Sequence, residues 1–266
     1  MIAIILRTFR DRWKMLLAVT VIGVGTMLMY TSLFPTYRDI LAKNNQLYSQ
    51  MPGALRKAFN IESFSFDTIE KFLNIEMYSL FMPILTIILT LSLSSNSIAG
   101  EVERETSVQS ATQSVSRTTV YLGKLLAAIK IFSIFNVLVN FSVFPLAALF
   151  KLPIQTGHFV AATVMCELFG LALLGIGFGV SAFLSDKGKV QMIVAGTVLV
   201  TYTLNIVSSL LPSLDKLKYL SFFHYFDPNV FLVQGRYQAA DIWYFSAITV
   251  VGITIGWWRW TKRDIL

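Results

Sequence analysis

The 266-residue chain is 55% hydrophobic and only 14% charged, with a mean hydropathy of +0.64. Soluble domains carry about 25% charged residues, so this composition cannot supply a water-facing surface and an ordinary soluble domain is excluded. The net charge of +7 then reads as basic inner loops obeying the positive-inside rule, ahead of a nucleic-acid surface. The one cysteine, Cys166, sits in an apolar run and can form neither an internal disulfide nor a metal site by itself.

A membrane-crossing helix needs about 20 mostly apolar residues to cover roughly 30 Å of hydrocarbon. Six stretches qualify, at about 15–34, 78–99, 131–150, 159–184, 190–211 and 242–260. Each is too long and too continuously apolar for a barrel strand, so the predicted fold is an all-α polytopic membrane protein, a single transmembrane domain of six helices. Before the first span, in residues 1–14, Ile2, Ile5, Leu6, Phe9 and Trp13 recur at helical spacing opposite Arg7, Arg10, Asp11 and Lys14. Such a basic amphipathic segment suits a helix lying on the inner membrane surface, or else charges that only fix the topology of the first span. The first span is long and has no small-x-small cleavage site, so it reads as a retained helix and not a secretory signal.

Residues 35–77 form a long outer loop in which Met51-Pro52-Gly53 and recurring Phe and Ile suggest short amphipathic helices over the outer mouth. Residues 100–124 form a cytoplasmic loop between spans two and three. In it Thr106 and Gln109 have the spacing of a capping box, predicting a short helix over 106–113 with acids ahead of its positive end. Ser116 is placed to cap the helix that climbs into span three. Thirteen of the 22 Lys and Arg fall between spans two and three (Lys130 included), near the two termini and in the 185–189 turn, so both termini are expected inside.

Glu167 is the one acid inside a predicted span; it could face a translocation path or pair with a neighbouring helix for structure. Asn136, Asn140 and Asn205 fit interhelical hydrogen bonding. Gly175-Ile176-Gly177-Phe178-Gly179 follows no strand and fits a small-xxx-small packing face better than a nucleotide loop. No GxxxxGK[ST] loop and no HExxH occurs, and His158 and His224 are far apart. The chain is therefore expected to be no enzyme and to need no cofactor or metal of its own.

The cytoplasmic loop resembles that of the membrane subunits of ABC-2 type ATP-binding cassette transporters. That family's pattern, Glu-x-x-x-Gly-Thr, a helix, Pro-Val-Ser-Arg and Gly-Lys-Leu, is matched by Glu101, Glu105, Thr106, Val115, Ser116, Arg117, Gly123, Lys124 and Leu125. Glu105 stands where the family has glycine, and Ser114 where it has proline. Further likeness lies in Met51-Pro52, Phe226-Asp227-Pro228 and the closing Arg263-Asp264-Ile265. The resemblance implies a permease in the plasma membrane, that of a bacterial cell, pairing with a second permease copy or homologue and two cytoplasmic ATPase subunits that bind ATP and Mg. It implies that 106–113 is a coupling helix, with Glu101, Glu103, Glu105, Thr106, Gln109, Arg117 and Lys124 at the ATPase contact, and that Phe9 and Trp13 lie on a connecting helix against membrane lipids. The function it implies is ATP-driven export of a hydrophobic or amphipathic compound such as a drug, antimicrobial peptide or lipid-like molecule. Two rivals remain: a secondary transporter in which Glu167 carries a coupling proton, and a non-transporting membrane scaffold.

Overall fold

The computed structural model describes residues 1–43, 67–103 and 116–263. They contain nine α-helical elements: α1 (Ile2–Lys43), α2 (Ile69–Ser97), α3 (Ala99–Glu103), α4 (Arg117–Phe141), α5 (Val143–Leu149), α6 (Thr156–Phe183), α7 (Lys187–Leu210), α8 (Phe222–Tyr225) and α9 (Ala239–Lys262). A 3₁₀ segment (Pro212–Leu220) and a π-helical turn (Asn229–Val233) flank α8. Six of the helices or helix pairs are long and apolar enough to cross a bilayer: α1, α2, α4 with α5, α6, α7 and α9.

Three boundaries differ from the sequence reading. The amphipathic segment 1–14 is not a separate interfacial helix. It continues into the first span as one helix of 42 residues, about 63 Å long at 1.5 Å per residue and so about twice the hydrocarbon thickness. No glycine or proline falls between Lys14 and the apolar run, so nothing breaks the backbone ladder there. Span two starts nine residues before the expected Tyr78, which puts Glu70 and Glu76 on the same helix and removes Glu167's standing as the only acid on a spanning helix. The helix expected to follow the Ser116 cap runs from Arg117 to Phe141 without a break, so the spanning helix starts before residue 131 and carries Lys124 and Lys130. The expected outer helices of 44–66, including Met51-Pro52-Gly53, and the closing Asp264-Ile265 lie outside the described residues.

The core lies where α2, α4 and α6 meet, with Phe132, Phe135, Phe169 and Phe178 essentially buried. The glycine run sets the approach of α6 to α9. A Cβ on Gly175 would stand 2.9 Å from the Thr249 backbone, and one on Gly252 would stand 2.5 Å from the Gly175 carbonyl. Only glycine leaves room for backbones that close, which is the small-residue packing expected of membrane helices. Before α6 begins, the turn that leads from α5 closes as a Schellman motif, Leu152 N donating to Ala147 O at 2.9 Å and Lys151 N to Ala148 O at 3.3 Å. Lys151 takes the left-handed position there, at φ 53°. The buried Glu70 carboxylate accepts from Gln155 N at 2.9 Å, placing a negative charge at the positive end of α6.

Candidate functional site

Residues 104–115, with Glu105, Thr106, Gln109 and the expected helix over 106–113, lie outside the described residues. The chain on both sides of them is held tightly. On the leading side, Ala99 N donates to Ser181 Oγ of α6 at 3.0 Å, and Lys124 Nζ of α4 donates to the Ser97 carbonyl at 2.7 Å. Glu103, exposed at the end of α3, accepts from Lys187 N at 3.0 Å, while Asp186 caps the same α7 terminus through Gly188 N and Lys189 N. Two acids at the start of one helix are stabilised by its dipole. Gln191 Nε2 adds a bond to Ser95 Oγ at 3.1 Å.

On the trailing side, Ser116 caps α4 through Thr119 N at 3.2 Å, as its sequence position predicts. Arg117 Nη1 donates to the Arg263 carbonyl, and Trp260 Nε1 of α9 donates to the Arg117 carbonyl at 3.1 Å. Arg263 itself is buried and closes the C-terminus of α6. Its Nη1 reaches Ala182 O at 3.1 Å and Leu184 O at 3.0 Å, and its Nη2 reaches Ser185 Oγ at 2.5 Å. A cation on the last carbonyls of a helix satisfies acceptors that the helix itself cannot. Burial first, then neighbouring Arg259, draws the guanidinium below its ordinary pKa, yet a guanidinium remains charged at any physiological pH. Leading and trailing sides thus converge on the C-terminal end of α6, at Ser181 and at Ala182 to Ser185.

Fourteen residues further back on α6, about 21 Å by helical rise, is Glu167. It accepts from Ser133 Oγ at 2.5 Å and from Asn136 Nδ2 at 2.8 Å, both on α4. Behind it the chain of bonds continues through fully buried groups: Asn140 Nδ2 donates to Asn136 Oδ1 at 2.7 Å, and Tyr78 OH of α2 donates to Asn140 Oδ1 at 2.6 Å. Tyr78 sits in a π-helical stretch, Asn74–Phe81, a distortion often found at functional positions. Asn136 and Asn140 therefore make the interhelical bonds expected of them. Asn205 instead lines a small cavity beyond the C-terminal end of α7 with Ser208, Asp215, Lys218 and His224. In that cavity burial, and then Lys218, draws the His224 pKa down, while a hydrogen bond from Lys218 to Asp215 raises that of Lys218.

Of the residues expected at an ATPase contact, Glu103 and Arg117 lie exposed on either side of 104–115, and Glu101 lies on α3. Lys124 does not lie exposed beside Glu103 and Arg117: it is buried, two turns into the helix that Ser116 caps, with its ammonium on the Ser97 carbonyl. Phe9 is half-buried against the core, whereas Trp13 is exposed. Arg263 and Trp260 could not be picked out from the sequence as side chains that tie α9 to the end of α6 and the start of α4. Their one visible signal was position, a basic and an aromatic residue at the C-terminal end of the last span.

The family model described as ABC-2 family transporter protein matches residues 4–265. No curated protein compared with the chain matches it. Subunits of this family are membrane permeases that are generally not catalytic themselves and work with ATPase subunits. A match over essentially the whole chain, on a bundle of six membrane-crossing helices, makes this protein a multi-pass membrane subunit belonging to the ABC-2 transporter family.

Proposed function

We propose that this subunit exports a hydrophobic or amphipathic compound, driven by ATP hydrolysis on two cytoplasmic ATPase subunits, and that it pairs with a second membrane subunit. Residues 104–115 receive the work, with both termini on the same cytoplasmic side. The observation that carries this reading is the anchoring of that loop at both ends. A loop that only linked two spans would need no such fixings. Here the leading side is bonded to α4, α6 and α7 and the trailing side to α9, and both sides reach the inner end of α6.

Movement of the ATPases would then displace α6 and α9 as a unit, because their backbones are in contact at Gly175 and Gly252 and cannot slide separately. α6 also carries Glu167, so displacement at the inner end reaches the middle of the bilayer through one rigid helix. The energy of nucleotide binding is the ATPase's contribution; this chain's own part is to transmit the motion and to line the route.

The test is purification from native membranes. A nucleotide-hydrolysing subunit should accompany the wild-type chain. It should be lost when 106–113 is replaced by a Gly-Ser linker of equal length, with insertion and melting temperature retained. Undiminished transport by the linker variant, or transport by a preparation free of any ATPase, would sink the proposal.

A further inference from the structure

We infer that Glu167 is the binding site for a cationic group, a protonated amine borne by an amphipathic molecule, approached between α4 and α6 from within the membrane. The inference deepens the export reading and rests on it for the direction of transport, though not for binding.

The hydrogen bonds around this carboxylate share one polarity. Tyr78 donates to Asn140, Asn140 to Asn136, and Asn136 to Glu167, so each dipole turns its positive end toward the acid, and Ser133 adds a further donor. Such a chain presents donors to the acid and fixes its side chain in place. A carboxylate has about four lone-pair sites, and these donors occupy only two. The carboxylate is half-buried, whereas every amide and phenol behind it is fully buried. The acid is therefore the accessible end of this chain of bonds.

No described Lys, Arg or His stands within ion-pairing distance of Glu167. Eleven residues into α6, about 17 Å from its start by helical rise, the acid lies at a depth where bare lipid contact is costly. The surface beside it is apolar: Ile134, Val137 and Val164 are each about 40% exposed. Negative charge set in an apolar surface fits one cationic head carried on a greasy body. A second copy of this chain packed symmetrically on the same face would bring like charge toward like, which disfavours it as the occupant.

The full chain in lipid nanodiscs is dialysed against radiolabelled octylammonium, with empty nanodiscs as baseline and octanol as the neutral probe of equal chain length. Saturable octylammonium binding above baseline is expected. Glu167→Gln should weaken it about tenfold, the order expected for losing a charge-assisted bond, while Glu167→Asp keeps most of it and octanol binding stays the same in all three. Absence of saturable octylammonium binding, equal affinity in wild type and Glu167→Gln, or equal losses in the Gln and Asp variants would overturn the site. The assay needs no ATPase. A failed binding test with intact ATPase copurification removes the amine site alone, and lost copurification with intact binding removes the export reading alone.

Discussion

At the scale of single residues, the same side-chain type serves different ends according to where the helix starts. Lys124 and Arg117 are both basic residues of a family motif, yet one is buried and holds the Ser97 carbonyl while the other is exposed beside 104–115. Lys124→Ala would leave that carbonyl without its ammonium and expose a void, so it is expected to lower the melting temperature of the detergent-solubilised chain, at a cost of about 1–3 kcal/mol. A lysine serving only an ATPase contact would leave the melting temperature of the isolated chain unchanged. Lys151 is the opposite case: a non-glycine residue held at φ 53° in a Schellman turn. Lys151→Gly should stabilise the chain by about 1 kcal/mol in the same melting assay, because the left-handed conformation costs L-residues that much.

Among the elements, the contact between α6 and α9 is the one on which the proposed transmission of motion depends. Gly252→Ala would push a methyl against the Gly175 carbonyl backbone, which cannot give way as a side chain could. A loss of about 1–3 kcal/mol is expected from such overpacking. Gly196→Ala, where an added Cβ meets nothing within 4 Å, is expected to hold or slightly raise the melting temperature as a helix-interior control. Ser116→Ala removes the N-cap of α4 and should cost about 1 kcal/mol. Because that cap also ends the 104–115 segment, its effect on transport should exceed that of an equally destabilising change at the outer end.

For the whole molecule, the sequence made the six spans and the family legible because long apolar runs and motif order both survive without any knowledge of packing. The glycine face of α6 was legible for the same reason: four-residue spacing is a property of one helix. The helix ends were not. The Ser116 cap points to a helix carrying Lys124 and Lys130, but only tertiary packing shows that Lys124 turns inward to the Ser97 carbonyl. Asn136, Asn140 and Glu167 could each be picked out as polar residues in spans, but their joining to Tyr78 depends on three helices meeting and could not be read from any one segment. Arg263 escaped for a similar reason, since its partners lie about 80 residues away in sequence on α6 and just beyond it. It also joins α9, α6 and the start of α4 beside 104–115, the segment proposed to receive work. The most direct test reconstitutes the chain with its ATPase in proteoliposomes and measures substrate moved per ATP hydrolysed for wild type and Arg263→Lys, which keeps the charge but loses the fork that spans two carbonyls and a hydroxyl. The expected result is near-normal hydrolysis with transport per ATP cut to less than about half; an unchanged ratio would contradict the account.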